Sequence, residues 1–189
     1  MRYSKDGMIA WISAQRPSRH GCVFLDRDGV INERIVGGYV LHWADFRWRP
    51  GAIAAMRALS AAGLPLVVAS NQSAVGRGLM TSATLVDIMR RMTNELDSYD
   101  IPLAAWYCCP HAPDAGCTCR KPGTAMLASC ARDLHVNLSR SFLIGDSPSD
   151  IEAGTAAGCT SFLVEGADAA GLERIAQRII ARETAPDPV

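Results

Sequence analysis

Two aspartates stand two residues apart in Leu25-Asp26-Arg27-Asp28-Gly29, directly after the apolar run 22–25. In an extended chain, residues i and i+2 project to the same side, so this spacing brings the two carboxylates together. Like charges held this close repel each other, and such pairs commonly bind a metal ion or share a proton. The alternative is an ordinary strand-end turn, in which Asp and Gly are frequent. Taken alone, the pair marks only a candidate site.

Three further polar segments follow apolar runs in the same way. Ser70-Asn71-Gln72-Ser73 offers hydroxyls and amides, Arg120-Lys121-Pro122 offers cations, and Gly145-Asp146-Ser147 offers another carboxylate. Each segment also has an ordinary interpretation, as a turn or as the start of a helix. Ligands in open parallel sheets bind at the carboxyl ends of the strands, so we expect these side chains to converge at one edge of a sheet.

The elements that position these segments alternate along the chain. Short apolar runs predict buried strands at 22–25, 64–69, 104–108, 141–144 and 161–164. Helical spacing of apolar residues predicts helices at 50–63, 81–96, 122–135, 151–157 and 172–182, the second capped by Thr81. Such strand–helix units predict an α/β fold, a three-layer Rossmann-like parallel sheet covered on both faces. No segment is long enough to form a large cap domain.

Length and composition limit the organisation and the partners. The 189 residues predict one folded domain over 21–182, with an N-terminal extension (1–20) and a flexible tail (183–189). Lys plus Arg and Asp plus Glu both number 19, so no basic surplus favours nucleic acid. The apolar runs are too short for a membrane span or a signal-peptide core, so we expect a cytoplasmic protein. We also expect a monomer.

The four polar segments, in this order and at these strand ends, resemble the four motifs of the haloacid dehalogenase superfamily of phosphotransferases. The resemblance implies that Asp26 attacks phosphorus to form an aspartyl-phosphate, and that Asp28 acts as general acid and base. It implies a Mg²⁺ ion on Asp26, Asp146 and the backbone carbonyl of Asp28. Ser70 and Lys121 would hold the phosphoryl oxygens. Asp150 would either orient a metal-bound water or cap a helix.

A second set of chemically active residues is the thiol cluster, Cys109, His111, Cys117 and Cys119. Three thiols and one imidazole in two close pairs suit a closed tetrahedral Zn²⁺ site with a structural role. The alternatives are disulfides, which a reducing cytoplasm disfavours, and a redox pair, which usually has two residues between its cysteines. Cys108 would point away from Cys109 along a strand and is left out of the set.

A thiol cluster directly before Arg-Lys-Pro narrows the resemblance to the D-glycero-D-manno-heptose 1,7-bisphosphate phosphatase family and its relative, the histidinol-phosphatase domain. Gly38-Tyr39-Val40 and Arg77-Gly78 also match, and the resemblance spans about residues 22–164. By the resemblance and by their polar chemistry, the candidate substrate-binding residues are Gly38, Tyr39, Asn71, Gln72, Ser73, Arg77 and Arg120. The chain departs from the family at Ser147, where Lys is common, and in a longer loop before Gly38.

The resemblance implies a phosphorylated sugar as substrate. A bisphosphate favours cations near the site, and Arg27, Arg34, Arg77 and Arg120 incline towards it over histidinol phosphate, which carries an amine and an imidazole. Histidinol-phosphatase is the second interpretation. A catalytically silent zinc-stabilised binding module is a third, against which all of the catalytic motif residues are present. A phosphotransferase that uses another alcohol in place of water is also open.

Overall fold

The computed structural model describes residues 2–3, 7–14, 21–166 and 169–184. Seven strands form one sheet in the order β1-β2-β5-β4-β3-β6-β7. Their bounds are Arg2–Tyr3 (β1), Ile9–Ile12 (β2), Val23–Leu25 (β3), Leu66–Asn71 (β4), Leu103–Cys109 (β5), Phe142–Gly145 (β6) and Thr160–Leu163 (β7). The five predicted strands are all present, each within a few residues of its predicted bounds.

Strand β3 lies in the interior of the sheet and pairs in parallel with β4 and β6. Its three residues are fully buried, which is why the run carries no polar alternation. Leu25 lies beside Val68 of β4 and Ile144 of β6. The polar segments that leave these strands therefore emerge next to one another, as the sequence predicts.

Helices cover both faces of the sheet and confirm the three-layer α/β fold. They are Ala52–Ala61 (α1), Ser73–Gly76 (α2), Ser82–Ser98 (α3), Ala125–Leu134 (α4), Pro148–Ala157 (α5) and Ala169–Thr184 (α6). One core cluster includes apolar residues of α1, α3 and α6, and a second includes those of α4. The predicted cap of α3 is confirmed, because the Thr81 side chain accepts a hydrogen bond from the Thr84 backbone N–H at 3.0 Å.

The sheet is not entirely parallel, which corrects the sequence-based expectation. Strand β2 adds antiparallel to β5, and β1 adds antiparallel to β2. Ile9 and Ala10 are buried, so this short apolar run is part of the core. An antiparallel edge strand on an otherwise parallel sheet is common in α/β proteins. The sheet therefore continues across the boundary that the sequence analysis places at residue 21.

Smaller differences lie at helix ends. Helix α4 begins at Ala125 instead of residue 122, and α5 begins at Pro148 instead of residue 151 because Ser147 and Asp150 form a capping box there. Helix α6 continues to Thr184, and the rest of the expected tail lies outside the described residues. Among the described residues, no helix is both long and apolar enough to cross a membrane.

Candidate active site

Asp26 leaves β3 at the floor of a cleft and meets Lys121. The Asp26 backbone N–H donates to the Ile144 carbonyl at 2.9 Å, which continues the pairing with β6 past the end of β3. Lys121 Nζ donates to Asp26 Oδ1 at 2.8 Å and to the Ala69 carbonyl at 2.7 Å. The Lys121 side chain is 2% exposed. The buried Lys121 ammonium thus contacts the carboxylate of Asp26, which the motif resemblance predicts to be the nucleophile.

Burial and charge oppose each other at this contact. Burial raises the pKa of Asp26 to about 6, although Lys121 acts in the opposite direction. Burial would lower the pKa of Lys121, but Asp26 and then Asp150 outweigh it, so that the Lys121 pKa is raised. Lys121 is therefore charged at neutral pH, and Asp26 is ionised above a pH of about 6.

Asp28 is held by three side chains, and the sequence predicts this role for none of them. Arg27 Nη2 donates to both Asp28 oxygens at 2.9 Å, Asn32 Nδ2 to Oδ1 at 2.9 Å, and Gln72 Nε2 to Oδ2 at 2.8 Å. Burial would raise the pKa of Asp28, but the charge of Arg27 and these hydrogen bonds outweigh it and lower the pKa. Asp28 therefore rests as a carboxylate in a fixed orientation.

This arrangement corrects the expectation for two residues. Gln72 is 3% exposed and also donates to Ser70 Oγ at 2.9 Å, so it lies beneath the cleft and does not line it. Arg27 is 1% exposed and faces Asp28, so it is not among the cations that a substrate would meet. Ser70 is also buried and absent from the lining. The sequence predicts that these residues lie near the site, but it does not show whether they line the cleft or pack beneath it.

Asp146 follows β6 and brings a second acidic group to the cleft. With Asp26 and Asp150 it forms a carboxylate cluster whose oxygens lie within 4.8 Å of one another. Burial raises the pKa of Asp146, and Arg34, whose Nη1 lies 3.1 Å from Oδ2, acts against that rise. Clustered carboxylate oxygens are the donor set that Mg²⁺ prefers, so these residues fit a magnesium ion.

Asp150 serves two structural purposes at once. Its Oδ2 accepts hydrogen bonds from the Ser147 backbone N–H at 3.1 Å and from Ser147 Oγ at 2.6 Å, which caps α5. Its Oδ1 lies 2.5 Å from Lys121 Nζ, and the side chain is 1% exposed. Helix capping, one of the two roles considered from the sequence, is confirmed, and the contact with Lys121 is additional. The tertiary fold alone brings Asp150 to Lys121.

The cleft has a volume of about 470 Å³, and most of the predicted substrate-binding residues line it. These are Gly38, Tyr39, Asn71, Ser73, Arg77 and Arg120, together with Asp26, Asp28, Lys121 and Asp146. Arg34 and Ile35 from the loop after β3 also contribute, as does Ser147. The opening thus carries three arginines above a floor of carboxylates and one lysine.

The thiol cluster lies next to this cleft. Cys117 Sγ lies 3.6 Å from Cys109 Sγ and 3.7 Å from Cys119 Sγ, and His111 Nδ1 lies 3.5 Å from Cys109 Sγ and 3.3 Å from Cys119 Sγ. Bonds of about 2.3 Å from Zn²⁺ to sulfur and about 2.0 Å to nitrogen give tetrahedron edges of about 3.8 and about 3.5 Å. The four ligand atoms therefore fit the corners of one zinc tetrahedron.

The contacts around β5 agree with the chosen ligand set. Cys108 packs into the core cluster of α1, α3 and α6, whereas Cys109 belongs to the cluster on the other face. The hydrogen bond from Cys119 is the main influence that lowers the pKa of Cys109, to about 5, and contacts with His111 and Cys117 add to it. A thiolate is the form of cysteine that binds metal.

The thiol cluster is connected to the catalytic floor through Asn71. Asn71 Nδ2 donates to the Lys121 carbonyl at 3.1 Å, and the Lys121 backbone N–H donates to Asn71 Oδ1 at 3.0 Å. Lys121 is two residues after Cys119. Its backbone is therefore fixed by Asn71 at the end of β4 and, along the chain, by the thiol cluster. Asn71 therefore both lines the cleft and positions Lys121.

Comparison with known proteins identifies the family. The D-glycero-alpha-D-manno-heptose-1,7-bisphosphate 7-phosphatase of Mycobacterium bovis is 38% identical over 167 residues, which cover 84% of this chain and 87% of that protein. The corresponding D-glycero-beta-D-manno enzyme of Rhodopseudomonas palustris is 40% identical over 157 residues, covering 79% and 86%. This chain belongs to the heptose-1,7-bisphosphate 7-phosphatase family.

Two further comparisons place this heptose bisphosphatase family member among the haloacid dehalogenase-like hydrolases. The HAD-hydrolase-like family model matches residues 118–183. The D,D-heptose 1,7-bisphosphate phosphatase of B. bronchiseptica, solved with magnesium and phosphate, is 31% identical. It covers 86% of this chain and 99% of its own, with a TM-score of 0.78. The resemblance drawn from the motifs is thereby confirmed.

Proposed function

We propose that this protein removes the C7 phosphate of D-glycero-D-manno-heptose 1,7-bisphosphate through an aspartyl-phosphate on Asp26. The observation that carries the proposal is the contact between Asp26 and the buried Lys121 at the floor of a cleft with arginines at its opening. A nucleophile beside a fixed cation suits attack on an anionic phosphoryl group. Relatives at 38–40% identity carry this activity in their names.

In the first step, an Asp26 oxygen attacks phosphorus, the bond from phosphorus to the C7 oxygen breaks, and Asp28 protonates the leaving oxygen. The bound phosphate dianion raises the pKa of Asp28, which supplies the required protonated form. In the second step, Asp28 takes a proton from the water that attacks the aspartyl-phosphate, and inorganic phosphate leaves. Lys121 stabilises the phosphoryl oxygens throughout. The buried Ser70, which accepts a hydrogen bond from Gln72, supports the floor beneath them.

Two metals complete the proposal. Mg²⁺, held by Asp26, Asp146 and the Asp28 carbonyl, would neutralise charge between nucleophile and substrate. Zn²⁺ in the thiol cluster would fix the loop that leads into Arg120 and Lys121. Four protein ligands leave no open position for water, so the zinc is structural. The unpaired thiols suit a reducing cytoplasm.

Substrate choice is assigned to the arginines at the cleft opening. Arg34, Arg77 and Arg120 line the cleft, and Arg120 Nη1 is buried with no hydrogen-bond partner among the described residues. An unpaired guanidinium nitrogen there suits a second phosphate. The same cations disfavour histidinol phosphate, whose amine and imidazole would be repelled. The relatives include enzymes named for both the alpha and the beta anomer, so both are tested.

The deciding experiment measures phosphate release with Mg²⁺ from both anomers of the bisphosphate and from histidinol phosphate. We expect release from a bisphosphate, lowered at least about a thousandfold in Asp26→Asn. The matched control is Asp87→Asn, which alters an exposed aspartate on α3 that pairs with Arg90, and it should behave as the unaltered protein. Preference for histidinol phosphate would move the protein to that activity. Release from neither substrate would favour a silent binding module.

A further inference from the structure

Arg34 differs from the other cations of the site in its partner. Lys121 contacts Asp26, Asp150 and the Ala69 carbonyl at the floor of the cleft. Arg34 is 62% exposed, and its Nη1 lies 3.1 Å from Asp146 Oδ2. Asp146 belongs to the carboxylate cluster that fits Mg²⁺. Arg34 is therefore ion-paired to a carboxylate that would also bind the metal ion.

Arg34 and a divalent metal ion would bind Asp146 with unequal strength. An exposed ion pair between a long flexible side chain and a carboxylate contributes little to stability. A divalent ion held by several carboxylate oxygens binds the same group far more strongly, and it repels a neighbouring guanidinium. Asp146 packs closely against Gly29, because a Cβ added there would lie 2.0 Å from Oδ2. Arg34 is more exposed than Asp146, so a bound metal ion would displace Arg34 more easily.

The loop that carries Arg34 decides where the side chain goes. Ile35, Gly38 and Tyr39 of this loop line the opening of the cleft. If Asp26 takes the transferred phosphoryl group at the floor, the other phosphate of a bisphosphate would lie towards that opening. Arg34 lines the same cleft, and a guanidinium is a strong partner for phosphate.

We propose that Arg34 exchanges partners: it pairs with Asp146 in the metal-free protein and binds the distal phosphate of the bisphosphate once Mg²⁺ occupies the carboxylate cluster. The inference rests on the proposed function and makes Arg34 a specificity-determining residue of that reaction. The exchange links metal loading to recognition of the second phosphate, because the arginine becomes available only when the cluster is filled.

The first test needs no substrate. Mg²⁺ is titrated by calorimetry into the zinc-loaded protein, into Arg34→Gln and into Arg90→Gln. Arg90 is the matched control because it is 59% exposed and pairs with Asp87 on α3. We expect Arg34→Gln to bind Mg²⁺ about two- to fivefold more tightly, the factor typical of an exposed ion pair, and Arg90→Gln to be unchanged. Equal affinity in Arg34→Gln would overturn the pairing.

The second test uses saturating Mg²⁺ and compares kcat/KM for the bisphosphate and for the heptose 7-phosphate. Arg34→Gln should lose about tenfold or more on the bisphosphate, mainly through KM, and clearly less on the monophosphate. Arg34→Lys, which keeps the charge, should recover part of the difference. Equal losses on both substrates would show that Arg34 does not bind the distal phosphate.

The two tests separate this inference from the proposed function. If the unaltered protein hydrolyses the bisphosphate and Arg34→Gln loses equally on both substrates, only the role of Arg34 is overturned. If the unaltered protein does not hydrolyse the bisphosphate, the proposed function and the second half of the exchange both fail. The Mg²⁺ titration then still decides whether Arg34 competes with metal for Asp146.

Discussion

Lys121 Nζ lies 2.8 Å from Asp26 Oδ1, and both groups are almost completely buried. Each group stabilises the charged form of the other in the protein interior, where an isolated charge would be neutralised. Even so, burial has the larger effect on Asp26 and raises its pKa to about 6. Asp26 is therefore protonated below a pH of about 6, and a cation bound beside it would favour the ionised form.

This contact predicts how stability depends on pH without Mg²⁺. The pKa of Asp26 is 3.8 in an unstructured chain and about 6 in the folded one. Between these values the folded state binds more protons, so the free energy of unfolding should fall as pH rises from about 4 to about 6. The fall should be about 1–3 kcal/mol. Urea unfolding in Mg²⁺-free buffer at a series of pH values measures it.

Asp26→Asn is the reference for that measurement. It lacks the titrating group but keeps Asp146 and Lys121, so the difference between the two stability curves reports on Asp26. Parallel curves from pH 4 to 6 would contradict the raised pKa.

Substitutions at Gly29 and Gly158 distinguish the effect of backbone strain from that of direct contact with Asp146. Its φ is +87°, and an added Cβ would lie 2.0 Å from Asp146 Oδ2. Gly158 has a φ of +86°, with no heavy atom of the described residues within 4 Å of an added Cβ. Gly158→Ala should therefore cost about 1 kcal/mol of stability from strain alone. Gly29→Ala should cost more and also weaken Mg²⁺ binding, as calorimetry and urea unfolding would show.

Mg²⁺ affinity is the decisive quantity for this pair of variants. If both variants bind Mg²⁺ as the unaltered protein does, then the close approach of Gly29 and Asp146 does not affect the metal site.

Arg27 is expected to act through Asp28. Its contact with both Asp28 oxygens lowers the pKa of that carboxyl against the effect of burial. Arg27→Gln should raise the Asp28 pKa, so the limb of the pH profile of kcat/KM that follows Asp28 should move to higher pH. It should also lower kcat about ten- to a hundredfold, because Asp28 loses a contact that fixes its orientation. Steady-state phosphate release across pH measures both effects. Arg57→Gln, an exposed change on α1, should leave the profile in place.

A purely structural contribution of Arg27 would give a different result. Activity would then fall by the same factor at every pH, and the limb that follows Asp28 would not move.

Zinc content should depend on Cys117 and not on Cys108. Cys117→Ser removes one corner of the tetrahedron and should lower bound zinc from about one equivalent to a small fraction, with a lower Tm and less phosphatase activity. Cys108 is adjacent to Cys109 but packs into the core on the other face of the sheet. Cys108→Ala should keep its zinc while losing some stability. Elemental analysis and thermal unfolding distinguish the two, and zinc loss in Cys108→Ala would contradict this ligand set.

The order of strands and helices was accessible from the sequence because each buried strand is a continuous apolar run and each helix has an apolar face. The N-terminal strand Ile9–Ile12 was not, because four apolar residues predict no partner by themselves. It forms a strand only because β5 offers a free edge, to which it adds antiparallel. The motif residues Asp26, Lys121 and Asp146 did come together as predicted, since each directly follows a strand or the thiol loop.

The side chains around those residues depended on the tertiary structure. Gln72 stands within a polar run and is indistinguishable by spacing from a substrate contact, yet it donates to Asp28 and Ser70 beneath the cleft. Arg27 similarly pairs with Asp28, and Asp150 reaches Lys121 across 29 positions of the chain. Residue types and strand ends tell which groups share an edge of the sheet, because backbone direction is local. Which neighbour each group faces depends on packing between distant segments, and only the folded structure determines it.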